Sequence, residues 1–559
     1  METDTTDFIV VGSGAAGMTA ALTGSLLGLS VTILEKADVV GGTTSLSAGS
    51  VWIPNTIHSP QKGDSRENAE TYLKNTVGNR IRPAMHTAFL NNGPHMVQLL
   101  SQTHVKFRPY PKHPDYLSTE RGATLRGRAL EPLPFNASFL GADFSLIKDP
   151  LPEFTILGGM MVNREDIGHL LGASRSIKST IQSLKLVGHY LKDRLTHHRG
   201  TRLVMGNALV GRLFVSLRKC NVPVLTDTNV TSLIVENETV VGVRIETKSG
   251  SKTLRSRYGV ILATGGFSRH PELRPLLLPK PTAKYSPIPE AITGDGVQMA
   301  QNIGGQLGTG HAENSFWTPV SVKPRKDGST AIFPHFVMDR GKPGLIAVNK
   351  NGQRFVSEAI DYHLFGKAMY NSGSIPCYFI CDSVFIKKYG LGMVYPKATN
   401  LRQALADGYL EQASEIRELA QKLDLDPITL STQVERHNHY AETGKDEDFS
   451  KGETPYERNL GDPEHSPNPC IGPIKTAPFF ALKVYCSDIG ASVGLVTDEY
   501  ARVLDSTHQP VQGLYACGND MDSIMGGVYP GPGITLGPGM TFGYIAAKHI
   551  SDNKENSGS

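Results

Sequence analysis

The sequence predicts an α/β chain in which a Rossmann-like, dinucleotide-binding domain is interrupted by an inserted α+β domain. Three observations predict it. Residues 8–34 spell an apolar run, a GxGxxG turn, a small-residue helix and a second apolar run. Two further apolar runs that end in glycine turns, GVILATGGF and GLYACGND, follow hundreds of residues later. At 559 residues the chain also exceeds what one compact core usually holds.

Phe8 to Val11 reads as a strand, Ala15 to Leu27 as a helix and Val31 to Leu34 as a second strand, a βαβ unit. Gly12, Gly14 and Gly17 occupy its strand-to-helix turn. Gly12 permits the tight turn, Gly14 lets a pyrophosphate touch backbone, and Gly17 lets the helix pack on the strand. Ser13, Ala15 and Ala16 complete the turn, where the helix start offers free N–H groups to phosphate. Glu35 closes the second strand, 18 residues after Gly17, where a carboxylate can accept both ribose hydroxyls; Lys36 stands beside it. The loop Gly41 to Ser50, GGTTSLSAGS, follows. Its Gly42, Thr43, Thr44, Ser45, Ala48 and Gly49 can lie along a pyrophosphate and a flat ring, although the same composition suits a flexible linker.

Leu170 to Leu195 reads as helical and amphipathic, with a basic, solvated outer face. Val224 to Ile245 is strand-rich and brings Val230 to the nucleotide site. Ala263, Thr264 and Gly265 then supply one close-approach turn, and Gly518, Asn519 and Asp520 another. Elements of one domain so far apart imply an insertion: residues 1–323 and 487–559 form the nucleotide-binding part, and 324–486 the inserted catalytic domain. The tail from Ser551 to Ser559 is polar and expected to fray.

Composition excludes other classes. Lys and Arg total 56 against 53 Asp and Glu, a net charge of +3, which gives no electrostatic footprint for nucleic acid. The six cysteines show no metal-ligand spacing and read as reduced thiols, and no metal site is expected. His197, His198, His437 and His439 lack ligand partners and read as surface residues. The polar start Met1 to Thr6 does not read as a signal peptide, and no apolar run reaches the roughly 18 residues of a transmembrane span. An intracellular, cytoplasmic location is expected.

The chemistry concentrates near the end, in GGVYPGPGITLGPGMTFGYIAA, residues 526–547. Pro530 and Pro532 carry no N–H, so within YPGPG only Tyr529, Gly531 and Gly533 have main-chain donors. A rigid N–H beside a Tyr hydroxyl suits an oxyanion site. A plain Pro/Gly turn leading into a helix from about Met540 accounts for the same residues. Ile534 and Leu536 follow on the cofactor side.

The four-part glycine arrangement resembles the fumarate reductase/succinate dehydrogenase flavoprotein superfamily over nearly the whole chain. That resemblance implies FAD, held non-covalently because the Gly41 to Ser50 loop has no His for a flavin bond. YPGPG followed by TLGP and TFGY further resembles the 3-ketosteroid Δ1-dehydrogenases. This implies that the Tyr529 hydroxyl and the Gly533 amide bind a 3-keto oxygen. It also implies a base at Tyr362, in GQRFVSEAIDYH, and a supporting tyrosine at Tyr116, in PDYLSTERGATLRGR. Fumarate reductases carry an Arg where Tyr362 stands, as suits a dianion. The implied reaction is 1,2-desaturation of a 3-keto steroid or related fused-ring triterpenoid ketone, with an unidentified electron acceptor. A Δ4-desaturase or 3-ketone reductase of the same fold, a fumarate reductase-like enzyme and a non-catalytic flavoprotein are the alternatives.

Overall fold

The computed structural model describes residues 5–59, 64–174 and 176–557. The start Met1 to Asp4 and the last two residues of the expected frayed tail lie outside them.

The first sheet grows from apolar strands too short to bury anything alone. It takes in β1 (Thr5–Val11), β2 (Val31–Leu34), β3 (Val224–Leu225), β4 (Asn229–Glu236), β5 (Thr239–Thr247) and β6 (Gly250–Leu262). The second takes in β7 (Ser315–Pro324), β8 (Thr330–Pro334), β9 (Leu345–Val348), β10 (Cys377–Asp382), β11 (Glu411–Ala413) and β12 (Phe479–Ala491). The chain then returns to the first sheet with β13 (Arg502–Leu504) and β14 (Pro510–Ala516). The first sheet runs β3-β2-β1-β6-β5-β14-β13, with β4 on β5. Its centre is parallel: Phe8 to Val11 of β1 face Val31 to Leu34 of β2 on one side and Gly259 to Leu262 of β6 on the other. Phe8, Ile9 and Val10 are fully buried, as parallel strands covered on both faces require.

The helix α1 (Ala15–Leu26) follows the first turn. Gly12 there has φ +107°, and a Cβ would meet the Ala263 carbonyl oxygen at 2.2 Å. Only glycine fits. Further on lie α2 (Arg164–Gly172), α3 (Ile177–Asp193), α4 (Tyr362–Asn371) and α5 (Leu536–Ser557). The second sheet, β8-β7-β12-β10-β9 with β11 on β12, pairs antiparallel throughout.

Five details differ from the sequence reading. The strand β7, placed by the sequence in the nucleotide-binding part, hydrogen-bonds to β12 and β8, so the second sheet begins at Ser315. It ends at Ala491, past the expected boundary at 486, because β12 is one unbroken strand. The helix α5 starts at Leu536, not Met540: Pro538 falls in the first turn, where a missing N–H costs nothing. It continues through Ser557 where fraying was expected, with Ser551 buried. His437 is a core residue whose Nε2 bonds the Gly472 carbonyl at 3.0 Å.

The span from Leu170 to Leu195 is helical as read, in two pieces, with α2 ending at Gly172 and α3 beginning at Ile177, and α3 turns an apolar face outward where a basic one was expected. Among the described residues no helix is long and apolar enough to cross a membrane.

Candidate active site

The YPGPG loop is held by its carbonyls. Pro530 O accepts from the Tyr72 hydroxyl at 2.6 Å and from the Tyr116 amide at 2.9 Å. Gly533 O accepts from the amides of Trp52 (3.2 Å) and Gly537 (2.8 Å). Gly533 itself has φ +93°, and a Cβ would lie 2.3 Å from the Ser50 carbonyl oxygen. Its N–H has no acceptor among the described residues. The loop therefore carries one unspent backbone donor four residues after Tyr529.

Two other segments bring tyrosines to that loop. Asp115 fixes Tyr116: its Oδ1 accepts from Trp52 Nε1 at 2.9 Å and its Oδ2 from Arg128 Nη1 at 2.8 Å. Arg128, also bonded to Asp64 at 2.9 Å, is fully buried. Tyr362 opens α4, whose N-cap Asp361 accepts from the His363 and Leu364 amides, each at 2.9 Å. The RFVSE stretch before it is structural. Arg354 pairs with Glu358 and Asp446, and Lys451 closes on Glu358 at 2.9 Å, all fully out of solvent. Burial alone would raise the Glu358 pKa, but Arg354 and Lys451 outweigh it and hold the carboxyl well below its ordinary range. Arg340 donates to the carbonyls of His335, Phe336, Glu358 and Ile360, which fixes the backbone just before Tyr362.

The three sequence-predicted tyrosines converge. The Tyr116 hydroxyl donates to the Tyr362 hydroxyl at 3.1 Å. The Tyr116 and Tyr529 rings stack at 5.6 Å with 13° between planes, and Tyr362 meets Tyr529 edge-on at 5.2 Å. Burial pushes the Tyr529 phenol up to about 12 and the other two well above their ordinary value, so all three are neutral near pH 7. Phe316, Phe336, Tyr456 and His363 pack around them. Desolvation drops the His363 pKa to about 3, so that imidazole is uncharged.

The sequence reading missed these walls, and Trp52, Tyr72, Asp115 and Arg128 as well. Only Asp115 and Arg128 left a trace, at either end of DYLSTERGATLRGR.

The proposed cofactor residues form a cradle that fits a dinucleotide. A Cβ on Gly14 would meet nothing nearer than Thr44 Oγ1 at 3.8 Å, so the helix start is open there, and Gly42 has nothing within 4 Å. Glu35 ends β2 and accepts from Ser13 N (3.0 Å), Ser13 Oγ (2.5 Å) and Ala37 N (2.9 Å), which leaves lone pairs on a half-exposed carboxylate. The Thr228 amide bonds the Glu35 carbonyl at 2.9 Å, which sets the start of β4 and Val230 beside it. Thr44 Oγ1 accepts from Ala15 N at 3.1 Å. The Ser45 hydroxyl is buried with no partner among the described residues, a polar atom in want of a ligand. Thr43, Ala48 and Gly49 belong to the same loop, and Ala16 and Gly518 pack together at its far end. The Lys36 ammonium is taken by Thr293 (2.7 Å) and Asp295 (2.8 Å).

At the other end of the cradle, Asp520 binds the amides of Thr264 (2.5 Å) and Gly266 (2.8 Å), clamping the Ala263-Thr264-Gly265 turn to the Gly518-Asn519 turn. Burial pushes the Asp520 carboxyl up to about 6. A shallow hollow lies there, lined by Gly518, Asn519, Ile534, Thr535, Pro538 and Phe316. Leu536 begins the helix beneath it. Phe316 lies edge-on to Tyr529 at 5.2 Å, so the cradle ends at the tyrosine cluster.

A family model described as the FAD binding domain matches residues 7–536, which takes in both glycine turns, the second sheet and the YPGPG loop. A 3-oxosteroid 1-dehydrogenase of Mycobacterium tuberculosis (strain ATCC 25618 / H37Rv) is 36% identical, with 98% of each chain covered. The chain belongs to the FAD-binding flavoprotein family that includes the 3-oxosteroid 1-dehydrogenases. A family relative from Sinomonas cyclohexanicum, a 4-oxocyclohex-2-ene-1-carboxylate 5-dehydrogenase, is 33% identical over 98% of this chain and 93% of its own length. A solved 3-ketosteroid Δ1-dehydrogenase from Sterolibacterium denitrificans, in complex with 1,4-androstadiene-3,17-dione, superposes with a TM-score of 0.91. It is 35% identical, over 99% of this chain and 100% of that one.

Proposed function

We propose that this flavoprotein desaturates the C1–C2 bond of a 3-keto steroid or a related fused-ring triterpenoid ketone. One observation carries the reading: the hydroxyls of Tyr116 and Tyr362 are linked, and both rings pack on Tyr529, whose loop also carries the unspent Gly533 N–H. Two donors on one side and a proton acceptor on the other suit removal of a proton next to a carbonyl.

The residues act as follows. The Tyr529 O–H and Gly533 N–H donate to the ketone oxygen and stabilise negative charge as the adjacent C2–H is lost. The Tyr362 oxygen, as a phenolate whose own proton has passed to solvent, takes that proton. The Tyr116 O–H, already aimed at Tyr362, strengthens its bond as charge collects there. Bound FAD, held non-covalently, supplies the two-electron acceptor for the hydride from C1. Aromatic walls exclude water from the charge that develops. The protein is placed in the cytoplasm, and bound FAD would need an external electron acceptor.

The Sinomonas relative favours one alternative, a small keto-cyclohexane carboxylate. The nearby Arg340 guanidinium is occupied by four carbonyls and His363 is uncharged, so a carboxylate would lack a cationic partner here. Anaerobic bleaching of the flavin by a panel of 3-keto tetracycles, 3-hydroxy tetracycles, keto-cyclohexane carboxylates and succinate, with product analysis, tests the reading. Bleaching by the 3-ketones alone, with a 1,2-alkene product, is expected. Faster bleaching by the carboxylates or by the 3-alcohols would overturn it.

A further inference from the structure

A circuit of contacts closes beside the tyrosine cluster. Tyr116 stacks on Tyr529 at 5.6 Å and also on His113, at 6.2 Å with 29° between planes. His113 meets Tyr110 edge-on at 5.2 Å. The Tyr110 hydroxyl is bonded to the Ser50 hydroxyl at 3.0 Å. Ser50 in turn sets its carbonyl against Gly533, where a Cβ would lie 2.3 Å from the oxygen. Gly533 stands four residues after Tyr529, so the circuit returns to the loop from which it started. His113 therefore belongs to the wall of the site, although the proposed proton transfer gives it no part.

One atom of that wall is unspent. His113 Nδ1 is buried and has no hydrogen-bond partner among the described residues. A Phe ring would make the same contacts without leaving a polar atom dry and unpaired. Desolvation holds the imidazole pKa down at about 4, against the Pro114 backbone and with help from Arg164. The ring is thus uncharged near neutral pH, with one nitrogen protonated and the other free to accept. The residue as a whole is half-buried, so Nε2 can reach water where Nδ1 cannot. A proton on the wetter nitrogen keeps its bond to water and leaves Nδ1 as the acceptor. A ketone oxygen cannot donate to it. The 3-keto group therefore does not answer His113, and a second group on the substrate must.

We propose that His113 is a specificity residue whose Nδ1 accepts a hydrogen bond from a hydroxyl on the polycyclic substrate. Tyr529 and Gly533 hold the ketone, Tyr116 follows in the stack, and His113 follows Tyr116. The hydroxyl is accordingly borne by a ring beyond the one that is desaturated. Covering Nδ1 with a bare hydrocarbon ring would leave it unpaired, and that penalty separates hydroxylated from unadorned 3-ketones. The placement of the ketone rests on the desaturase reading. The inference narrows the substrate class to fused-ring 3-ketones with a hydroxyl on the second or third ring.

Equilibrium binding to the flavin-loaded full chain tests it. The ligands already carry the C1–C2 alkene: 1,4-androstadiene-3,17-dione and its derivatives hydroxylated on the second or third ring. Calorimetry then reads affinity without turnover, and a failure of the proposed reaction shows separately in the flavin bleaching. At least one hydroxylated dienone should bind about tenfold more tightly than the parent. In His113→Phe, which keeps a ring against Tyr116 and Tyr110, that preference should vanish. His113→Asn sets an amide oxygen near where Nδ1 stood and should keep most of it. His113→Gln, whose amide reaches one bond further, should lose it. Each ratio is taken within one variant, so a general loss of affinity cancels. Should the variants not fold, the wild-type ratios alone decide. A parent dienone that binds as tightly as every hydroxylated one, a wild type that binds none of them, or a preference that survives in His113→Phe would each overturn the proposal.

Discussion

The Tyr116 hydroxyl donates a hydrogen bond to the Tyr362 hydroxyl across 3.1 Å, joining residues 246 positions apart in the chain. In the proposed reaction Tyr362 is the base, and Tyr116 is the donor that would stabilise the charge it takes on.

Tyr362→Phe should therefore lower kcat by about 100- to 10,000-fold with little change in KM, the loss expected of a general base. Tyr116→Phe should cost less and should move the alkaline rise of the pH–rate profile to higher pH, since the phenolate loses its donor. Steady-state kinetics on the best 3-ketone across pH checks both. Equal loss in the two variants, with unmoved profiles, would contradict the division of roles.

The oxyanion side is separable. Tyr529→Phe removes one donor and should cost about 2.7–4 kcal/mol, roughly 100- to 1,000-fold in rate. Gly533→Ala asks for more than a lost donor. The added Cβ would fall 2.3 Å from Ser50 O at φ +93°, so the loop must shift and its N–H with it. Melting temperature should fall in the alanine variant and hold in the phenylalanine one.

How much of this was legible in the sequence follows from what each signal depends on. The βαβ start was readable because Gly12, Gly14 and Gly17 report a local turn, and apolar runs such as Phe8 to Val11 report burial. The edges of the second sheet were not. β7 reads like its neighbours, and only its register with β12, from Ser315 on Ala491 to Val320 on Tyr485, assigns it. The outward stripe of α3 was hidden for a related reason. Periodicity shows that a helix has two faces, but which face turns inward was decided by Met160 and Val162, from another segment. Likewise Tyr116, Tyr362 and Tyr529 came from motifs, whereas Trp52 and Tyr72, which hold the YPGPG loop, carry no local pattern at all.

The two glycines of the first turn should respond oppositely to substitution. A Cβ at Gly12 would strike the Ala263 carbonyl at 2.2 Å, so Gly12→Ala should lose several degrees of melting temperature before any cofactor is considered. Gly14 has open space beside it, the nearest atom lying at 3.8 Å. Gly14→Val should fold as apoprotein and yet bind no FAD, because the side chain fills the approach to the pyrophosphate. Absorbance at the flavin band and thermal melts of apoprotein separate the two. Full flavin content in Gly14→Val would remove this turn from the site.

Asp361 yields a prediction whose sign can be worked through. Burial lifts its pKa to about 6, against the pull of the His363 and Leu364 amides and of Arg340. An unfolded Asp titrates near 3.9, so between about pH 4 and 6 the folded protein keeps a proton that the unfolded chain has released. Stability must then fall as pH rises through that window, reaching a full cost of about 3 kcal/mol above it. Asn caps a helix as well as Asp does and does not ionise. Asp361→Asn should match the wild type at low pH, gain on it progressively between about pH 4 and 6, and keep a constant advantage above that. Denaturant melts across that range check it. A stability difference that stays flat with pH would mean that Asp361 is not the buried charge argued here.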